Sequence, residues 1–294
     1  MLLAPPPSLH PTKEQFLVAL KEIEKFSPAP VILARALKLL RDPRSDIESI
    51  ATLVGSDAAL TADIIRSANS VYYAGGKCTS IGEAVQKIGF METVRQLNLA
   101  VARIASGRDL GCYGIHGADF WAESLFNGLF LQALAKETGE ADPDEAYTVG
   151  LLRFIGRLAI NQAIENLRGG LYWIGPESIS QWELDNVGLV QAEAGAMLLR
   201  QWQFPDEIVQ AIARQDAPAV IADKNWLAEA LFFASALLPQ GIGTPFNPAM
   251  GASLASLPVG MDFMHHYGLS SATAEELLES TSKEFDRIRT TFGV

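Results

Sequence analysis

Ser80-Ile-Gly-Glu-Ala-Val-Gln-Lys-Ile-Gly89 is the stretch on which the reading of the fold turns. Ser80 and Glu83 form a capping box, in which each side chain satisfies a backbone N–H that a first helical turn leaves without a partner. Ala84, Val85 and Ile88 then make one apolar stripe at helical spacing, and Gly89 supplies the stop. The stretch therefore predicts a short amphipathic helix, and the same start and stop signals extend outward from it in both directions.

Toward the N-terminus, Asp57 to about Asn69 reads as a helix. Before it, Ser45 with Glu48 reads as another capping box, opening a helix through Val54 that Gly55 ends. After the proline-containing entry Ser27-Pro28-Ala29-Pro30, Val31, Leu33, Ala34, Leu37 and Leu40 keep helical spacing until Asp42-Pro43. Toward the C-terminus, Phe90 to about Ser106 follows. Asp119 is placed to cap a long helix containing Trp121, Leu125, Leu129 and Leu134, which Gly139 ends. Asp142-Pro143 restarts the pattern with proline at the first helical position. The helix it opens contains Gly150 and Gly156, which lower helix propensity but allow a neighbouring helix to come close. Ser180 with Glu183 opens a further helical region. Val187 to Trp202, Pro205 to about Arg214 and about Asn225 to Leu238 read as three more helices. A glycine- and proline-containing stretch, Gly241 to Pro258, precedes helices ending near Thr290. Strand signals are scarce, and no solenoid-period repeat or low-complexity tract occurs. The expectation is an all-α, multi-helix bundle: one extended helical domain over 12–215, with a C-terminal helical part over 216–294 packed on it.

Composition agrees with a folded chain. The 294 residues are 49% hydrophobic and 19% charged, enough apolar surface to offset the entropy of ordering. A formal charge of -11 repels phosphate backbones at long range and disfavours nucleic acid as a partner. Cys78 and Cys112 are too few for a disulfide-built secreted fold and read as buried thiols. Met1 to Pro11 lacks a basic leader pattern. Trp226 to Leu238 is apolar but carries Glu229 and is shorter than the roughly 18 to 20 residues that cross a bilayer. No membrane anchoring is expected, and the expected compartment is the cytoplasm.

Residues for chemistry are sparse. The histidines are His10, His116, His265 and His266. On a helix, the adjacent pair would point about 100 degrees apart and not serve one ion. No metal-binding His-Glu-x-x-His or Cys-x-x-Cys pattern, nucleophile elbow or phosphate-binding glycine loop is present. Ile47 to Gly55 followed by a second helix has the outline of a helix-turn-helix. Its forward face would offer Ala58, Ala59, Ala62 and Asp63 with only Arg66 positive, poor equipment for DNA, so packed core helices are expected. Around Arg66-Ser-Ala-Asn-Ser-Val-Tyr-Tyr73, Asn69 is placed to end a helix in the left-handed conformation. Arg66, Asn69, Tyr72 and Tyr73 offer either ordinary packing or a partner surface.

Several motifs in order resemble the HDOD domain. They are Asp57-Ala-Ala-Leu-Thr, Asn69-Ser-Val-Tyr, Ser80 to Gly89, Phe120-Trp121, Gly150-Leu-Leu-Arg-Phe-Ile-Gly156, and Gly188-Leu-Val-Gln-Ala-Glu-Ala-Gly195 with Leu198, Leu199, Trp202 and Pro205. The match runs from about Phe16 to Leu238. It implies an all-helical bacterial module of signalling or regulatory output, similar in its second half to HD-type metal-dependent phosphohydrolases. By that resemblance, the positions where enzymatic relatives carry metal ligands hold Glu123, Arg153-Phe154, Gln191, Gln215-Asp216 and Ser235 here. Arg153 falls on the histidine of the pair, and a guanidinium adds repulsion to a cation while donating no lone pair. The expectation is a protein without catalysis, metal or cofactor, acting through an unknown signalling protein or a small ligand such as a nucleotide second messenger. Arg153 is expected either to close the old cavity by pairing with Glu123 or Asp216, or to capture a phosphate or carboxylate ligand. A carboxylate-based phosphohydrolase and a DNA-binding regulator using 47–69 are the alternatives.

Overall fold

The structure is a computed structural model that describes residues 12–22, 29–42, 44–56, 58–70, 73, 76–106, 109–167, 170–216, 225–237 and 258–292. The helices are α1 (Lys13–Lys21), α2 (Ala29–Arg41), α3 (Ile47–Gly55), α4 (Ala58–Ala68), α5 (Ile81–Ile88), α6 (Phe90–Ser106), α7 (Gly117–Thr138) and α8 (Pro143–Leu151). They continue as α9 (Ile155–Asn166), α10 (Ile179–Asn186), α11 (Gln191–Gln201), α12 (Asp206–Arg214), α13 (Trp226–Leu237), α14 (Pro258–His266) and α15 (Ser271–Phe292). Among the described residues the only extended pairing is one bridge between Leu110 and Ile115, so the fold is all-α.

The stretch 80–89 folds as its residues dictate. The Glu83 N–H donates to Ser80 Oγ at 3.2 Å, Glu83 Oε2 accepts from the Thr79 and Ser80 N–H groups, and Gly89 leaves the helix at φ 84°. Asp142 likewise caps α8 with Pro143 at its first position, and Gly139 ends α7 in the left-handed region. Cys78 and Cys112 are buried free thiols.

Other helix starts differ from the sequence reading. Asp46, not Ser45, caps α3, accepting the Ser49 N–H at 2.8 Å, because a carboxylate at the positive end of a helix is the stronger acceptor. His116 occupies the cap position of α7, and Asp119 lies inside its first turn. Ser178, not Ser180, caps α10. Residues 187–190 form a connection through Gly188 at φ 78°, so the next helix starts at Gln191 rather than Val187. Asn69 does not turn left-handed. Its amide instead exchanges two hydrogen bonds with the Cys78 backbone, donating to the carbonyl at 2.8 Å and accepting the N–H at 2.7 Å. The stretch from Gly241 lies outside the described residues as far as Pro258, where α14 begins.

The long helix α7 is buried on almost every face, which marks it as the axis of the second half rather than a surface helix. It packs against α6, α8, α13 and α15. Its closest neighbour is α8, where a side chain at Gly150 would collide with the Asn127 backbone and one at Gly128 would press on Tyr147. Gly156 of α9 sits as tightly against the Gln191 carbonyl of α11. The segment holding both glycines is not one helix. It breaks at Leu152–Phe154, where the Arg153, Ile155 and Arg157 N–H groups each bond three residues back, as in a tight turn. The break hangs between two close helix crossings, one on each side of Arg153. No helix of the described residues is long and apolar enough to cross a membrane.

Candidate functional site

The break at Leu152–Phe154 turns Arg153 inward. Only 4% exposed, its guanidinium donates to Asn127 Oδ1 of α7 at 2.6 Å and to Ser235 Oγ of α13. Its backbone carbonyl accepts from Gln215 Nε2 at the end of α12, at 3.1 Å. One residue thus ties α7, α12 and α13 to the α8–α9 joint. Arg157, one helical turn on, lies over the same aromatic ring: the two guanidinium carbons are 4.6 and 4.5 Å from the Phe154 centroid.

These side chains line a cavity of about 230 Å³, formed by Arg153, Phe154, Arg157, Ser180, Gln191, Asp216 and Ser235. Ser180 and Asp216 are exposed and lie at its mouth, while Gln191 is buried. Of the positions singled out in the sequence, Arg153, Phe154, Gln191, Asp216 and Ser235 line this space. Glu123 and Gln215 are buried next to it, Glu123 acting on Arg153 through its charge and Gln215 through the carbonyl bond. Arg153 makes no ion-pair contact with Glu123 or Asp216, contrary to one of the two expectations. Its two terminal nitrogens are directed instead to Asn127 Oδ1 and Ser235 Oγ.

Asn127, Arg157 and Glu183 carry the site without having been singled out. Arg153 and Arg157 are spaced i, i+4 inside the apolar run Leu151 to Ile160, and that spacing was the available signal. Glu183 reads in the sequence as opening a helix with Ser180. It is fully buried, accepting the Tyr113 hydroxyl at 2.8 Å and the Gln191 N–H, the first of α11, at 2.7 Å.

Burial governs the electrostatics. Desolvation pushes the buried Glu123 and Glu183 carboxyls above their ordinary range, against the pull of the nearby arginines, and the cavity wall does the same to Asp216 at the mouth. Desolvation brings Arg153 down to about 10, against the pull of Glu123. A carboxyl whose folded pKa is raised contributes stability that is complete below its unfolded pKa and is lost as pH rises through the folded value. Glu123→Gln is therefore expected to raise the unfolding midpoint by a few degrees near pH 8 and to leave it unchanged near pH 4. Thermal melts across that range check this, and a gain that does not grow with pH would contradict it.

The remaining sequence candidates lie elsewhere. Arg66 pairs with Asp63 on its own helix, Tyr73 is half-buried, and Tyr72 lies outside the described residues. His116 is exposed and faces Asp109, His265 and His266 end α14, and His10 lies outside the described residues. Among the described residues no three His, Cys, Asp or Glu side chains converge as metal ligands. The cavity offers one carboxylate and no imidazole against two guanidiniums, a donor set that does not fit a divalent ion.

Comparison with known proteins bears on the family and the fold. A family model described as the HDOD domain matches residues 27–218. A curated Treponema pallidum (strain Nichols) protein of uncharacterised role is 27% identical over 195 residues, which is 65% of this chain and only 37% of that protein's length. Among solved structures, an HDOD domain protein of unknown function from Geobacter sulfurreducens superposes with a TM-score of 0.67 at 20% identity, over 93% of this chain and 95% of its own. A protein named for signal transduction from Marinobacter aquaeolei VT8 gives 0.69 at 21%, over 96% and 65%. One named for phosphohydrolase activity from Shewanella amazonensis SB2B gives 0.59 at 23%, over 92% and 93%. At these identities the structural likeness speaks for the fold alone.

Proposed function

This chain belongs to the HDOD family, and from that premise we propose that it is a non-catalytic regulatory module of bacterial signal transduction, working in the cytoplasm through contacts with a signalling protein. The observation that carries the reading is the pair Arg153 and Arg157 in the wall of the central cavity. In the family resemblance, Arg153 stands where enzymatic HD relatives place a metal-binding histidine. A fixed positive charge there repels a divalent ion and offers it no lone pair. The polar groups around Arg153 serve the fold instead: Asn127, Ser235 and Gln215 hold it, and through it the helices that carry them.

The test is hydrolysis of a generic phosphodiester with added Mn²⁺, Fe²⁺ or Mg²⁺, for which no turnover above the metal-only blank is expected. Metal-dependent turnover that chelation abolishes would contradict the proposal. Affinity capture from the native bacterium, with and without nucleotide second messengers, would then identify the partner and show whether a messenger controls its binding.

A further inference from the structure

We propose that the cavity at the α8–α9 break is a binding site for a phosphoryl oxyanion, free or carried on a larger molecule. The proposal rests on the regulatory reading above and names the ligand chemistry of that same site. Two guanidiniums face the space, and Arg153, although 4% exposed, has an Nε–H with no hydrogen-bond partner. A buried donor left without a partner is costly, and a ligand oxygen would remove that cost. Gln191, also 4% exposed, leaves its Oε1 equally without a partner; turning the amide over presents two N–H donors to the same space. Ser180 adds a hydroxyl at the mouth, whereas the Ser235 proton already goes to the Leu231 carbonyl at 3.1 Å.

Together with two guanidinium charges, these donors suit the three oxygens and double charge of a phosphoryl group better than the single charge of a carboxylate. Size points the same way. At roughly 30 Å³ per water, about 230 Å³ holds a five-atom oxyanion with a few waters, whereas sites for whole drug-sized molecules begin near 300 Å³. A nucleotide would seat its phosphate and leave its base outside the mouth. The opposing charge is Asp216, exposed at the rim, together with the chain's net -11, which weakens the approach of any anion.

Calorimetric titration of the full chain with inorganic phosphate, acetate, chloride and adenosine monophosphate, at fixed ionic strength, tests this. Saturable binding of one phosphate per chain is expected, with acetate much weaker and chloride silent. Asp216→Asn should tighten phosphate about fivefold, and Ser180→Asp, which places a carboxylate at the mouth, should weaken it at least about tenfold. Both positions are exposed, so both variants are expected to fold, as their thermal melts would verify. Competition by adenosine monophosphate would mark the phosphoryl group as one carried on a larger molecule, and its exclusion would mark a free ion. No saturable phosphate binding, acetate binding as tightly as phosphate, or affinities unmoved by both substitutions would overturn the proposal. Metal-dependent phosphodiester turnover would contradict the regulatory function while leaving the phosphate result to stand or fall by itself.

Discussion

Arg153→Ala is expected to cost the fold about 3 kcal/mol and lower the unfolding midpoint by about 6 to 12 °C. The truncation leaves Asn127 Oδ1 and the Ser235 hydroxyl without their donor inside the protein and empties the space the side chain fills. It also removes one of the two cations, with Arg157, whose charge favours the buried Glu123 carboxylate, so part of the loss is electrostatic. That part is separable: in a Glu123→Gln background, Arg153→Ala should cost measurably less, and the double-mutant cycle gives the coupling. Arg153→Lys should fall between wild type and alanine, because one ammonium keeps the charge but cannot fork to α7 and α13 together. Unfolding unchanged by Arg153→Ala would mean that the guanidinium does not hold these helices.

Gly156→Ala should be at least as damaging, about 3 kcal/mol or more, seen as loss of the cooperative melt or of soluble protein. Its methyl group would collide with the Gln191 carbonyl, a backbone atom that cannot rotate away, so α9 and α11 must separate. Alanine's better helix propensity, worth about 1 kcal/mol, does not offset that. Gly82→Ala is the control, since a methyl there meets nothing within 4 Å; it should stabilise by about 0.4 to 1 kcal/mol. Equal effects at the two glycines would contradict the close crossing. The crossing matters for the site because Gln191, which lines the cavity, is the residue against which Gly156 packs.

Local signals in the sequence mapped onto local structure. The box at Ser80 and Glu83, the Asp142-Pro143 start and the Gly139 stop each act within a few residues, so their chemistry is complete in the stretch that carries it. Where two acceptors competed, spacing alone could not choose: Asp46 displaced Ser45 as a cap, and Glu183 was drawn inward by Tyr113 and the start of α11. The break after Leu151 was hidden because an apolar run at helical spacing continues through it; only the two crossings, set by distant helices, make the turn necessary. The family register brought out Arg153, Phe154, Gln191, Asp216 and Ser235, residues of four separate chain segments that the fold gathers around one cavity. It passed over Asn127 and Arg157, which the motifs of the resemblance do not single out. Asn127 matters because its Oδ1 accepts from Arg153 across the α7 and α8–α9 contact, a relation set by tertiary packing and invisible in sequence spacing.

The central claim of the proposed function is that the arginine-centred cavity, at the positions where the family resemblance would put metal ligands, takes no divalent metal. Elemental analysis of the full chain, incubated with Mn²⁺, Fe²⁺ or Mg²⁺ and then desalted, tests it most directly. Metal content far below one ion per chain, unaffected by a chelator wash, is the predicted result. One or more tightly retained ions per chain, released by chelator, would contradict it.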